Sequence, residues 1–282
     1  MGADWEDPGA VARAAAGGPC ASITAGLELP MHRWDRDLVR LADNICAVAE
    51  QTGAAVLFPS NLYGFKVIYD VPLPADPPLA DVNDRRCEPG RLRDAIEATY
   101  CQLAELSGNR VIVVRAGDTF GPGAIAWPAA EMVARARVKA PIRWPGKPSI
   151  GHSFTYVPDL ARLGVRALLG APLPKPHRTA EELADPDLAP QSPLEVYALH
   201  GHLVANAAEW AQVLGSPRAE RLPHAFIRAR GLVSPEHKLL ADVLYTWEGS
   251  LFLDERQTRA WMPDWQHTPL TEAAREAVAW SG

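Results

Sequence analysis

The chain has 282 residues, 48% of them hydrophobic and 22% charged, with a formal net charge of −6. That apolar share can build a core for one large domain or two small ones. The acidic balance and the absence of any basic run argue against nucleic-acid binding, and no apolar run approaches the roughly 18 residues of a membrane span.

The N-terminal stretch "MGADWEDPGA" has no basic segment followed by an apolar one, so no secretory signal is predicted. Its sixth residue is Glu rather than Ser or Thr, which weakens Gly2 as a lipid acceptor. Cys20, Cys46, Cys87 and Cys101 form no Cys-x-x-Cys pair. They fit a reduced cytoplasmic protein better than a disulfide scaffold or a zinc site.

"PGAVARAAAGG" predicts a short Ala-rich helix, with Asp7 as N-cap and Pro8 at its first position. "CASITAG" predicts a short buried strand. "DRDLVRLADNICAVAEQTG" predicts an amphipathic helix, because Leu38, Leu41, Ile45 and Val48 recur at spacings of three and four and Gly53 can stop it. "AAVLFPSN" is the next strand, and a Pro-rich loop runs from about Lys66 to Pro89. "GRLRDAIEATYCQLAELSG" predicts a second helix ending at Gly108, and "VIVVRAGDTFGPGA" predicts a buried strand running into a Gly-Pro-Gly turn.

Near-continuous apolar strands alternating with helices indicate a parallel sheet covered on both faces. Ligands bind such sheets beyond the C-terminal strand ends. The segments "ITAG", "FPSNLYG" and "RAGDTFGPG" are therefore expected to converge on one rim.

Farther on, "AAEMVARARVK" and "DLARLGVRALL" predict helices, the second with Asp159 as N-cap. Residues 171–193 are dense in Pro and read as a linker or insertion. "LEVYALHG" predicts a strand. "AAEWAQVLG", "PEHKLLADVLYTWEG", "DERQTRAWM" and "LTEAAREAVAW" predict helices. Trp247, Trp261, Trp265 and Trp280 are assigned to the packing of a small cap. The resulting division is a Rossmann-like domain over 1–170, a Pro-rich connection over 171–193, and a strand with a helical cap over 194–282.

Several segments together resemble the extended short-chain dehydrogenases, the NAD-dependent epimerase/dehydratase family. "FPSNLYG" is similar to their strand-end motif of two Ser followed by Val-Tyr-Gly. "VIVVRAGDTFGPGA" resembles the next strand with its Gly-Pro-Gly turn, and "HSFTYVPDLAR" resembles their hairpin leading to a helix. "DWEDPGAVARAAAGG", "LADNICAVAEQTG" with Asn44, and the C-terminal "HTPLTEAAREAVAW" match in order. The resemblance implies an α/β Rossmann-like parallel sheet with a small, mostly helical C-terminal substrate or cap region. It also implies NAD or NADP as cofactor and a small polar substrate such as a nucleotide-linked sugar.

Two features of the family are not found. The family's first strand leads into a Gly-x-x-Gly-x-x-Gly turn, where the backbone approaches a pyrophosphate at a helix N-terminus. No such motif occurs here, and "GGPCASITAG" does not supply it. The expectation is an N-terminally truncated sheet with an exposed apolar edge, or a subunit whose missing strands come from a partner chain. The family also carries Tyr-x-x-x-Lys at a helix start, the Tyr moving a proton and the Lys lowering its pKa. The corresponding stretch reads "NDRRCEPGRLRDAIE", with Pro89 expected at the Lys position and Arg85 or a neighbour at the Tyr position.

The candidate cofactor-contacting residues are Thr24, Ala25, Gly26, Ser60, Asn61, Ala116, Gly117, Asp118 and Thr119, the last four where a nicotinamide ribose would lie. Ser60 and Tyr63 are the candidate catalytic residues. Each has a plainer alternative: Ser60 and Asn61 can form a turn, Tyr63 can pack at a strand end, and Asp118 and Thr119 can shape the Gly117–Gly123 turn. Arg115 is either a phosphate ligand or a paired structural arginine. Arg91 and Arg93, at a helix start, are expected to be solvated. His200 and His202 lack a third metal ligand, and His152 is expected either to pack in the hairpin or to neighbour a phosphate. Helices at about 36–52 and 91–107 are the expected homodimer surface of the family. A non-catalytic sensor, regulatory or assembly subunit is the alternative reading.

Overall fold

The structure, a computed structural model, describes residues 7–16, 22–24, 33–65, 88–170, 193–249 and 251–280. The expected Pro-rich loop, the 171–193 connection up to residue 192, and the candidates Ala25 and Gly26 lie outside the described residues.

Helix α1 (Pro8–Ala16) leads to strand β1 (Ser22–Thr24), helix α2 (Trp34–Thr52), strand β2 (Ala55–Ser60), helix α3 (Glu88–Ser107) and strand β3 (Val111–Ala116). Strand β7 (Leu194–Leu199) completes an all-parallel sheet of order β1-β2-β3-β7. The strand that opens the C-terminal region thus belongs to the N-terminal sheet. Both long helices end where the sequence indicates, at Gly53 with φ 69° and Gly108 with φ 70°. These are left-handed positions that glycine adopts without a Cβ penalty.

The alternation of side chains along β2 and β3 divides the core into two layers. Val56, Phe58, Val111 and Val113 pack against Leu38, Ala42 and Ile45 of α2 and Ile96, Tyr100 and Leu103 of α3. Leu57, Ile112 and Val114 point the other way, against Leu163 and Ala167 of helix α5 (Val157–Leu169) and against Trp265. A strand apolar on every residue is what this double coverage requires. Strand β1 is not buried as expected: Ser22 and Thr24 are exposed, because among the described strands β1 pairs only with β2 and lies at the edge.

Beyond β3 the chain forms β4 (Asp118–Phe120), α4 (Ala129–Arg137), β5 (Ile142–Trp144) and β6 (His152–Tyr156). After α5 and β7 come β8 (His202–Val204), α6 (Ala207–Val213), β9 (Ala219–Arg221), α7 (His224–Gly231), α8 (Pro235–Asp242), α9 (Arg256–Trp261) and α10 (Leu270–Ala279). Strand β6 lies between β4, parallel to it, and β8, antiparallel. A second core gathers Phe120, Trp144, Phe154, Trp210 and Trp247, with Ala273, Ala274 and Ala277 of α10 close against it. Of the four C-terminal tryptophans, Trp247 and Trp265 are buried, whereas Trp280 is exposed.

Asp159 does not cap α5 as expected. The helix begins earlier, at Val157, with Tyr156 as its cap residue. The Asp159 carboxylate instead accepts hydrogen bonds from the Thr268 amide (2.9 Å) and hydroxyl (2.7 Å), which ties the C-terminal segment to the helix start. Among the described residues, no helix is long and apolar enough to cross a membrane.

Candidate functional site

Strands β2 and β3 run parallel, with Ser60 opposite Arg115, so both release their chains at one edge of the sheet. The segments that follow, Asn61–Tyr63 and Ala116–Asp118, line a pocket together with His152, Ser153, Thr246 and Leu251. Two of the three segments expected at one rim meet here, and the pocket is closed on its far side by the start of β6 and by Thr246 and Leu251; Thr24, the last described residue of the third, does not line it.

The turn after β2 is built to present Tyr63. The Asn61 side-chain oxygen accepts from the Tyr63 amide at 3.1 Å, a local bond that Asn makes readily. The first turn of α3 presses against this turn: a Cβ on Gly90 would lie 2.0 Å from the Tyr63 carbonyl oxygen. Tyr245 donates its hydroxyl to that same carbonyl, and the Tyr63 ring stacks on Trp34 at 6.3 Å. The hydroxyl thereby points at Asp118, donating to Oδ1 at 3.3 Å. Burial, and then the nearby Asp118 charge, hold the Tyr63 phenol well above its ordinary pKa. It is a neutral phenol at physiological pH.

Asp118 and Thr119 do not shape a turn, as one reading of the sequence had it. They belong to β4, where Asp118 pairs with Phe154 and Thr119 with Thr155. The turn is confined to Gly121–Gly123, where Gly121 has φ 112° and Gly123 φ 79°. Pairing with β6 sends the Asp118 side chain into the pocket. Its Oδ2 lies 2.8 Å from Nε2 of His152. His152 is fully buried, stacked face to face on Trp247 at 3.6 Å and edge-on to Trp144 and Phe154. Its Nδ1 is buried and has no hydrogen-bond partner among the described residues. An unmade bond of this kind costs about 1–3 kcal/mol.

The other predicted residues fall into three groups. Asn61, Ala116 and Gly117 line the pocket beside Tyr63 and Asp118. Ser60 and Thr119 are close by but outside its lining, and the Ser60 hydroxyl is taken up by Glu97 Oε2 at 2.5 Å. Thr24 ends the edge strand β1 and is exposed. Arg115 is the paired structural arginine, with Nη2 at 2.6 Å and Nε at 3.0 Å from Glu97 Oε1.

Pro89 lies buried in the first turn of α3, and Arg85 is outside the described residues. One helical turn beyond Pro89, Arg93 corrects the expectation of a solvated side chain. Its guanidinium sits 5.6 Å from the Trp34 ring and 5.1 Å from the Phe58 ring and donates to the Pro59 carbonyl at 3.0 Å. Burial lowers its pKa, and aromatic faces compensate a cation held in this way.

His200 and His202 serve packing. His200 Nδ1 bonds the Leu253 carbonyl at 2.8 Å, and burial lowers the His202 pKa. Among the described residues, no three His, Cys, Asp or Glu side chains are placed to hold a metal ion.

The rim is a glycine-bordered pocket at the C-terminal ends of parallel strands, with a buried hydroxyl in it, and such sheets bind their ligands at these strand ends.

No family model matches the chain, and no curated protein does. Solved structures do. The NAD complex of UDP-glucose 4-epimerase from Brucella ovis superposes with a TM-score of 0.69 at 15% identity, over 99% of this chain and 83% of that one. RMD from Pseudomonas aeruginosa, complexed with NADPH, gives 0.68 at 14% identity, over 99% and 87%. The holo form of a GalE-like L-threonine dehydrogenase from Cupriavidus necator gives 0.66 at 15% identity, over 98% and 83%. The likeness establishes the Rossmann-like fold of these enzymes.

Proposed function

We propose that the chain is an NAD(P)-dependent oxidoreductase of the epimerase/dehydratase type, acting on a small polar alcohol or the corresponding ketone, with Tyr63 as the proton-transferring group. The observation that carries this reading is the position of the Tyr63 hydroxyl, buried at the shared end of β2 and β3 and bonded to Asp118. Neighbours of the same fold are NAD or NADPH complexes, which supports the nicotinamide.

A tyrosine hydroxyl donates one hydrogen bond and accepts others. A substrate hydroxyl gives its proton to the Tyr63 oxygen while Tyr63 passes its own to Asp118 Oδ1. The raised pKa keeps a proton on Tyr63 throughout, so the transfer is concerted and no free phenolate accumulates. His152, bonded to the other carboxylate oxygen, holds Asp118 in place. The bound cofactor supplies the hydride acceptor. Asn61, Ala116 and Gly117 are the residues that would border its nicotinamide end.

The test is a fluorescence titration of the full chain with NADH and with NADPH, followed by a reduction assay over a panel of small ketones. Saturable binding of one nucleotide and turnover that collapses in Tyr63→Phe are expected. Nucleotide binding without turnover, indifferent to Tyr63→Phe, would favour the non-catalytic sensor or regulatory subunit.

A further inference from the structure

The hairpin of α7 and α8 carries an apolar tip beside a group of cations. Helix α7 ends at Gly231, and the chain turns through Leu232 and Val233 before Ser234, whose hydroxyl accepts from the His237 amide at the start of α8. A Cβ on Gly231 would lie 3.0 Å from the Lys238 Cα, so the two helices close on each other at this point. The inner side of the hairpin is fixed to the molecule by Ile227 and Leu240, which pack with Leu244 and Trp127. The turn itself stands clear: Leu232 and Val233 are each 87% exposed. Phe226 is half exposed, with the Arg230 guanidinium 5.8 Å from its ring.

Charge is segregated in the same place. Between residues 221 and 238 the sequence has Arg221, Arg228, Arg230 and Lys238 against a single carboxylate, Glu236, in a chain whose net charge is −6. All four cations are exposed. On α7, Arg228 and Arg230 lie on opposite flanks of the buried Ile227, so positive charge borders the hairpin on both sides.

The partner that fits is a surface and not a groove-bound chain. An acidic peptide would satisfy the cations, but it needs walls against which to bury its own apolar residues. Two neighbouring aliphatic side chains standing clear of the protein offer no walls. An anionic bilayer needs none, because apolar side chains enter the boundary between headgroups and acyl chains while cations beside them stay with the lipid phosphates.

We propose that the α7–α8 hairpin is a peripheral membrane contact. Leu232 and Val233 enter the interface of an anionic bilayer, and Arg228, Arg230 and Lys238 are held by its phosphates. The acidic remainder of the chain is repelled by the same surface, so the molecule binds in one orientation, hairpin first. The contact is electrostatic in large part and is released by salt. It is separate from the nicotinamide reading, since no residue of the hairpin lines the pocket at Tyr63.

The test is sedimentation of the full chain with vesicles of phosphatidylcholine alone and of an equal mixture of phosphatidylcholine and phosphatidylserine, at low and at physiological ionic strength. Binding to the mixed vesicles is expected, at least about tenfold tighter than to the neutral ones and weakened by salt. Arg228→Gln combined with Arg230→Gln should weaken it about 25-fold, roughly fivefold for each cation. Leu232→Ser combined with Val233→Ser should weaken it at least about tenfold. All four side chains are exposed, so both variants should melt with the wild type. Polyglutamate serves as the competing probe. If it binds saturably while the mixed vesicles do not, the hairpin meets an acidic protein and the proposal is overturned. No sedimentation with mixed vesicles, binding indifferent to lipid charge, or a Leu232→Ser, Val233→Ser protein that binds as well as wild type would overturn it too. The wild-type comparison of the two vesicle types decides the matter even if a variant fails to fold.

Discussion

Asp118 and His152, 34 positions apart in the chain, meet at 2.8 Å between Oδ2 and Nε2 because the parallel pairing of β4 with β6 brings their strand starts together. Tyr63 reaches the same carboxylate from the turn that follows β2. The candidate site is this junction, and its consequences can be measured.

Replacing Tyr63 by Phe removes the hydroxyl and leaves the stack on Trp34 intact. Turnover is expected to fall about 10²–10⁴-fold, the usual worth of a positioned proton donor or acceptor. Nucleotide affinity should change less than about twofold, since that hydroxyl holds none of the nucleotide's charged groups. A matched loss of affinity and turnover would place Tyr63 in binding instead.

Ser60→Ala separates two candidates that sequence treats alike. The Ser60 hydroxyl bonds Glu97, which in turn holds Arg115. Loss of that bond should destabilise the protein by about 1 kcal/mol in urea unfolding, with kcat within about threefold of wild type. Glu97→Ala should cost roughly 3–5 kcal/mol, because it strands the half-buried Arg115 cation.

Gly90→Ala is expected to damage the site from outside it. The added methyl would meet the Tyr63 carbonyl oxygen at 2.0 Å, a backbone atom that cannot rotate away. A loss of roughly 2–4 kcal/mol is predicted, from overpacking and displacement of the turn that presents Tyr63. Thermal unfolding checks it, and an unchanged melting temperature would show that α3 does not press on the turn.

Stability should fall as pH rises through the alkaline range. Burial pushes the His267 pKa down, but the Asp159 carboxylate 3.7 Å from Nδ1 and the Glu255 carboxylate hydrogen-bonded to Nε2 outweigh burial and raise it to about 9 from an ordinary 6.5. A group with a raised folded-state pKa contributes its stability fully below pH 6.5 and loses it as pH climbs through 9. The loss should amount to roughly 1–2 kcal/mol, discounted for the ring's partial exposure. Urea midpoints measured from pH 6 to pH 9.5 should show this slope in wild type and a flatter one in His267→Gln.

Much of the sheet could be read from local pattern. The period of α2, the stop glycines at 53 and 108, and the apolar run of β3 each specify an element without help from distant residues. The rim followed, since parallel strands put their C-terminal ends on one side. What joins the site was not local. Nothing in "RAGDTFGPG" says that Asp118 enters a strand, because its partner strand begins at His152. The alternating "HSFTY" was the available signal: a buried strand opening on a histidine. Arg93 was read as solvated because its aromatic bed, Trp34 and Phe58, comes from two earlier segments. Asp159 looked like a helix cap because Asp often is one, but the tertiary partner Thr268 claims its carboxylate.

The central claim, a nicotinamide-dependent site at the Tyr63–Asp118 rim, is tested most directly by titrating the purified chain with NADH and NADPH and following nucleotide fluorescence. The account predicts saturable binding of at least one, with an unchanged dissociation constant in Tyr63→Phe. No saturable binding of either nucleotide would contradict it.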